Sequence, residues 1–213
     1  MADKKTHFGR AGEYFAMSEL LLRGWNVAVP VVDVGDDVFV IDDNDKTTRR
    51  LQVKSAEAES IPEADGGGVK AKFTLSRAQL RTAQPIELFY MLMVRIDRTA
   101  WHFLIVPRVE LLKIRDAYVE AGKTRDGRGR RPVADEAATT DGLTLVVVLK
   151  GAEATGWEAS LAEYLDRWPD ELAPVTGGPG TVGHAVPSAP PAAGGAAPTP
   201  TAEAPAPSPD REK

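Results

Sequence analysis

RRLQVKS, residues 49–55, decides how this 213-residue chain is read. Side chains of a β-strand alternate between its two faces, so Leu51 and Val53 point one way and Gln52 and Lys54 the other. An amide and an ammonium side by side on so apolar a strand ask for polar company on that face. The flanks supply candidates. Upstream, GRAGEYFAMSELLLRG (9–24) reads as a helix. Phe8, Ala11, Phe15 and Leu22 mark its apolar stripe, Met17 and Leu21 broaden it, and Gly24 is placed to stop it. Three strand-like pieces follow at 25–32, 37–41 and 50–56, the last two joined by the turn DDNDKTT (42–48).

Downstream, residues 57–71 hold three consecutive glycines and several acids and read as a loop. KFTL (72–75) is a short strand leading into a helix at 76–82. LFYMLMVRI (88–96) and WHFLIVP (101–107) are strong strands joined by a turn. A helix is expected at 109–121, a strand at 143–150 and a last amphipathic helix at 157–168. The order α-β-β-β-α-β-β is that of an α/β (α+β) domain on a mixed central sheet, with an extra C-terminal strand and helix. The composition changes near residue 174. From there to the end 10 of 40 residues are Pro, 9 Ala and 6 Gly, too few large apolar groups to offset the entropy of ordering. Two parts are therefore expected, a folded domain over 1–173 and a disordered tail over 174–213.

Bulk properties exclude more than they select. A net charge of −5 gives no global basic signature, so any contact with nucleic acid must be local. The chain has no cysteine, which removes disulfides, thiolate metal sites and a cysteine nucleophile. His7, His102 and His184 lack zinc-ligand spacing. No Walker loop and no Gly-x-Ser-x-Gly elbow is present. With neither a signal-peptide core nor a membrane-length apolar run, a cytoplasmic protein is expected, with no membrane partner.

Two acids precede the Gln-x-Lys pair on elements able to reach it. Glu13 lies in the opening helix directly after Gly12 and preceded by Gly9, which let backbone approach, and Asp37 begins the strand DVFVI. Asp36 is its rival, and Asp37 is preferred because the apolar strand starts directly after it. Glu13, Asp37, Gln52 and Lys54 together suit metal-assisted hydrolysis of phosphodiesters. Mg²⁺ (or Mn²⁺) takes hard oxygen ligands, which Asp37, Gln52, the Val53 carbonyl and Glu13 offer. Lys54, kept protonated by the acids, would orient water or stabilise developing charge. Each residue also has a plain explanation. Glu13 suits the favourable dipole of a first helical turn, Asp37 suits a turn, and Gln52 with Lys54 suit the wet face of an antiparallel strand.

The run GRAGEYFAMSELLLRGWNVAVP…GDDVFVID…RRLQVKS resembles the opening of the PD-(D/E)xK nuclease-like superfamily, which includes restriction endonucleases and archaeal-type Holliday junction resolvases. FTLSRAQL…FYMLMVRI…WHFLIVPRVEL is similar to the elements that close that core, so the likeness spans about residues 8–114 without selecting a subfamily. It implies a restriction-endonuclease-like α-β-β-β-α-β core. A Glu on the first helix, an Asp on the second strand and a (D/E/Q)xK pair on the third fall on Glu13, Asp37, and Gln52 with Lys54. Most active members carry an acid where Gln52 stands, and a Q-x-K form also occurs. The implied function is a Mg²⁺-dependent endonuclease acting on DNA before RNA; the alternative is an inactive nuclease fold that binds nucleic acid or protein.

Two further segments bear on partners. KTRDGRGRRP (123–132) sets Lys123, Arg125, Arg128, Arg130 and Arg131 in a flexible run, with Arg115 just upstream, suited to contacting phosphates or simply to solvent. Arg77 and Arg81 are weaker candidates for the same work. The segment ending EYLDRW suits either a sheet-covering helix or a homodimer contact.

Overall fold

LFYMLMVRI has no polar–apolar alternation because it is buried on both faces. It is strand β6 (Leu88–Ile96), whose first seven residues are inaccessible to solvent. The computed structural model describes residues 4–31, 36–43, 46–83, 85–97, 100–124 and 142–174. Around β6 lie β1 (Asn26–Ala28), β2 (Val38–Ile41), β3 (Thr48–Glu57) and β7 (Ala100–Pro107), in the spatial order β1-β2-β3-β6-β7. Only β3 and β6 run parallel, with Gln52 beside Tyr90 and Lys54 beside Leu92; the other pairs are antiparallel. A second, antiparallel sheet has the order β10-β9-β8-β5-β4. Its strands are β4 (Glu59–Ser60), β5 (Val69–Ser76), β8 (Gly142–Lys150), β9 (Glu153–Gly156) and β10 (Ala159–Ser160). The helices are α1 (Lys4–Leu22), α2 (Arg77–Arg81) and α3 (Arg108–Thr124).

The two faces of the first sheet bury different partners. On one, Leu51, Val53, Phe89, Met91 and Met93 pack against Ala16 and Leu20 of α1 and against Trp25. On the other, Tyr90, Leu92 and Val94 meet Leu80 of α2, Leu111 of α3 and Phe73, Leu145 and Val147 of the second sheet. The expected α/β (α+β) fold with a mixed sheet is thus present, with a second sheet packed on it. The face of β3 that alternation assigned to solvent is not wet: Gln52 is 4% exposed, because the second sheet and α2 cover it.

α1 contacts the sheet through other residues than its apolar stripe suggests. Leu21 and Leu22 are exposed, and Gly12, Ala16 and Leu20, four residues apart, face inward. Small side chains allow close approach. A Cβ on Gly12 would overlap Ser55 Oγ of β3, whereas Gly9 has nothing near it. The predicted stop at Gly24 holds. Its φ is +85°, Gly24 N–H reaches the Leu21 carbonyl (3.0 Å) and Trp25 N–H the Leu20 carbonyl (3.1 Å), the paired bonds of a Schellman motif. α1 begins at Lys4, so Glu13 sits in mid-helix, away from the terminal dipole that would by itself explain an acid.

Three local expectations change. The loop at 57–71 contains β4, a single 3₁₀ turn (Glu63–Asp65) and the start of β5, longer than KFTL alone. The strand expected over 25–32 is β1 alone, Asn26–Ala28. No helix forms over 157–168. Trp157 and Glu158 take left-handed backbone (φ +48° and +63°) in the tight turn joining β9 to β10, and only a 3₁₀ turn follows (Ala162–Tyr164). That segment then covers the sheet. Leu165 bridges Leu104 on β7, Asp166 caps Phe103 N–H (3.0 Å), and Trp168 lies against Phe103 with Arg23 stacked on it (4.2 Å). Of the two roles open to EYLDRW, sheet cover is the one these contacts fill.

The described residues fall within one compact unit. The Pro/Ala/Gly-rich tail from 175 onward lies outside the described residues.

Candidate functional site

The site is built where β2 leaves β3. Val38 pairs with Leu51, and the Asp37 N–H also donates to the Leu51 carbonyl (3.1 Å), so both residues stand opposite one. That is the arrangement of a β-bulge, which turns side chains away from regular alternation and ends pairing. Past the bulge, β3 loses its partner strand, and the Asp37 carboxylate takes over. Its Oδ2 accepts the Val53 N–H at 2.7 Å, replacing a ladder bond. A residue's N–H and C=O point to the same side of an antiparallel ladder, so the Val53 carbonyl also faces the side β2 has vacated.

Asp36 and Asp37 border the same pocket but are held by different partners. Asp36 is 4% exposed and takes a two-point ion pair from Arg50, with Nε to Oδ2 at 2.8 Å and Nη2 to Oδ1 at 2.6 Å. Its charge is spent inside the fold. Asp37 is half-buried and opens into a pocket of about 290 Å³ that it shares with Glu13, Arg10, Gly9, Pro30, Val31 and the Arg50-paired Asp36.

Gln52 and Lys54 do not line that pocket. They flank Val53, the residue that holds Asp37, and project to the opposite face beside Tyr90 and Leu92. There the Gln52 side-chain oxygen is buried without any hydrogen-bond partner, and Lys54 is half-buried with no ion pair among the described residues. A buried carbonyl without a donor is costly, about 1–3 kcal/mol. Nearby, Tyr90 donates to Gln79 Oε1 (3.3 Å), and Ser76 Oγ caps α2 by accepting the Gln79 N–H (3.1 Å).

Arg10 is the pocket residue that strand alternation could not reveal. It donates to Glu13 one helical turn on and lies with 59% of its side chain exposed. The hydrogen bond and charge of Glu13 hold its guanidinium proton more firmly than usual, against an opposing effect of desolvation, and the charges of Asp37 and Tyr14 add lesser contributions in the same direction as Glu13. The i, i+3 spacing of Arg10 and Glu13 was the available signal.

Of the basic residues, Arg125, Arg128, Arg130 and Arg131 lie outside the described residues; Lys123 ends α3, but its side chain is likewise not described. Arg115 does not belong with them. It is 7% exposed and stacks over Trp157 (5.2 Å) and Tyr118 (5.6 Å). Arg81 pairs with Asp116 (3.6 Å) on the surface. Among the described residues no group of three or more His, Cys, Asp and Glu side chains could hold a metal ion, and no helix is long and apolar enough to cross a membrane.

No protein-family model matches the chain, and no curated protein matches it. Among solved structures it is similar to a bacterial homing endonuclease, I-Ssp6803I, at 17% identity and a TM-score of 0.35, over 52% of this chain and 74% of that one.

Proposed function

We propose that the fork between β2 and β3 is the centre of a divalent-ion-dependent hydrolysis of DNA phosphodiester bonds. The observation that carries this reading is the Asp37 carboxylate, pinned by the Val53 N–H where β2 leaves the sheet and opening into one pocket with Glu13. The donors at the fork are hard oxygens, the carboxylates of Asp37 and Glu13 and the Val53 carbonyl. That chemistry fits Mg²⁺ or Mn²⁺, which take few carboxylates and retain waters, rather than zinc. Asp37, Glu13 and the Val53 carbonyl would hold the ion, with Gln52 left on the opposite face of β3, and once bound the ion would supply a more acidic water and neutralise phosphate charge.

The chain's own groups do the rest. Val53 N–H fixes the orientation of Asp37 by committing one carboxylate oxygen to the backbone. Gly12 lets α1 close on β3, and that contact sets the depth of Glu13. Lys54, half-buried next to Val53 and without an ion pair among the described residues, would reach an anionic phosphate or its attacking water by turning from the opposite face. The run from Lys123 to Arg131 would neutralise phosphates farther along the duplex.

The experiment incubates the protein with linear, supercoiled, single-stranded and branched DNA, in Mg²⁺, Mn²⁺ or EDTA. Cutting that EDTA abolishes, and that Asp37→Ala and Lys54→Ala each reduce by at least about a hundredfold, is expected. Binding without cutting, unchanged by either substitution, would reject it. Neutralising Arg128, Arg130 and Arg131 is expected to flatten the salt dependence of DNA binding by roughly one unit of log–log slope per lost contact. An unchanged slope removes that run from the interface.

A second reading has its own support. Arg10 already neutralises Glu13, and Gln52 and Lys54 open to the other face of the sheet. A nuclease fold that binds DNA without cleaving it would carry such a pocket.

A further inference from the structure

Arg10 and Glu13 differ sharply in exposure. The guanidinium is 59% exposed on a flexible stem, and the carboxylate it bonds is 14% exposed at the pocket wall. Asp37, from a different element, adds its charge to the same guanidinium. In this pocket, therefore, a side-chain cation occupies the neighbourhood of the two carboxylates. An exposed ion pair of this kind contributes little to stability, so a stronger cation can replace it. A guanidinium released from Glu13 stays on the pocket wall and matches a phosphate's oxygens with its planar fork.

We propose that Arg10 is an exchangeable counter-ion that couples ion binding to nucleic-acid binding: a divalent cation displaces it from Glu13, and the freed guanidinium takes a phosphodiester oxygen. This rests on the reading of the pocket as an ion site. Coupling of this type is reciprocal, so the ion tightens DNA binding by the same factor as DNA tightens ion binding. Arg10 is a positioning residue in this scheme. Its removal would loosen the hold on DNA and strengthen the hold on the ion.

The test measures Mn²⁺ affinity by calorimetry on the full chain without DNA, for the wild type, Arg10→Met, Arg10→Lys and Glu13→Gln. Arg10→Met keeps the apolar stem and removes the charge, and it is expected to bind Mn²⁺ about two- to fivefold more tightly than wild type. Arg10→Lys is expected to fall back to within about twofold of wild type. In a Glu13→Gln background the Arg10→Met gain should vanish, which separates displacement from a general loss of positive charge. In parallel, a fluorescent DNA duplex is titrated with and without Ca²⁺. Ca²⁺ should tighten binding to the wild type severalfold and leave Arg10→Met unchanged. Mn²⁺ binding that depends on Glu13 and Asp37 but is equal or weaker in Arg10→Met would overturn the exchange and leave the ion site standing. Absence of Mn²⁺ binding to the wild type would overturn both.

Discussion

Asp37 has two separable duties, and substitutions can split them. Its carboxylate accepts the Val53 N–H and presents a negative charge to the pocket. Asp37→Asn keeps an acceptor oxygen and loses the charge; Asp37→Ala loses both. In urea unfolding the Asn variant is expected within about 0.5 kcal/mol of wild type, and the Ala variant lower by about 1–3 kcal/mol, because Val53 N–H is left without a partner. Equal losses in both would mean that the charge, not the hydrogen bond, holds the fork. The preference for Asp37 over Asp36 was readable from the strand start alone. What the sequence did not show is that Asp36, which lines the same pocket, is neutralised by Arg50 fourteen residues along the chain. Gln52 and Lys54 share a face as alternation required, but the burial of that face comes from a second sheet that alternation cannot see.

At the scale of elements, α1 and β3 form the contact on which the pocket depends. Helices with large apolar residues stand off a sheet by the length of those side chains; Gly12 and Ala16 remove that spacing. Gly12→Val is therefore expected to destabilise by about 1–3 kcal/mol and to push Glu13 outward. Ser55→Gly in the same chain should recover part of the loss, since Ser55 Oγ is the atom a Cβ on Gly12 would meet. If thermal unfolding finds Gly12→Val neutral, α1 has room to shift and the placement of Glu13 is loose. The helix stripe from Phe8 to Leu22 was a plausible reading of periodicity, and it put Leu22 inside. Periodicity ranks faces by hydrophobicity, whereas a close-packed contact selects for small size. The missing helix at 157–168 has a related cause. Its apolar spacing suits a helix, but Trp157 turns inward through a left-handed backbone and gives its Nε1–H to the Thr144 carbonyl (2.9 Å).

For the whole molecule, the last described residues close the first sheet. Leu172 is fully buried beside Trp25, and the Trp25 Nε1–H donates to the Ala173 carbonyl at 3.0 Å. Leu172→Ala is expected to lower stability by about 2–5 kcal/mol, and Trp25→Phe to lose at least the hydrogen bond, about 0.5–1.5 kcal/mol. Denaturant midpoints unaffected by Leu172→Ala would mean that this strap can detach without loosening the core. The order of the main elements from α1 to β8, the mixed sheet, the Schellman stop at Gly24 and the chain positions of Glu13, Asp37, Gln52 and Lys54 followed from the sequence by itself, because periodicity, turn residues and motif order are local properties of the chain. Tertiary structure alone decided that Glu13 and Asp37 share a pocket with Arg10, that Gln52 and Lys54 open to the other face, and that a second sheet covers them. Those outcomes depend on which surfaces meet across long stretches of chain, and no local pattern carries that information.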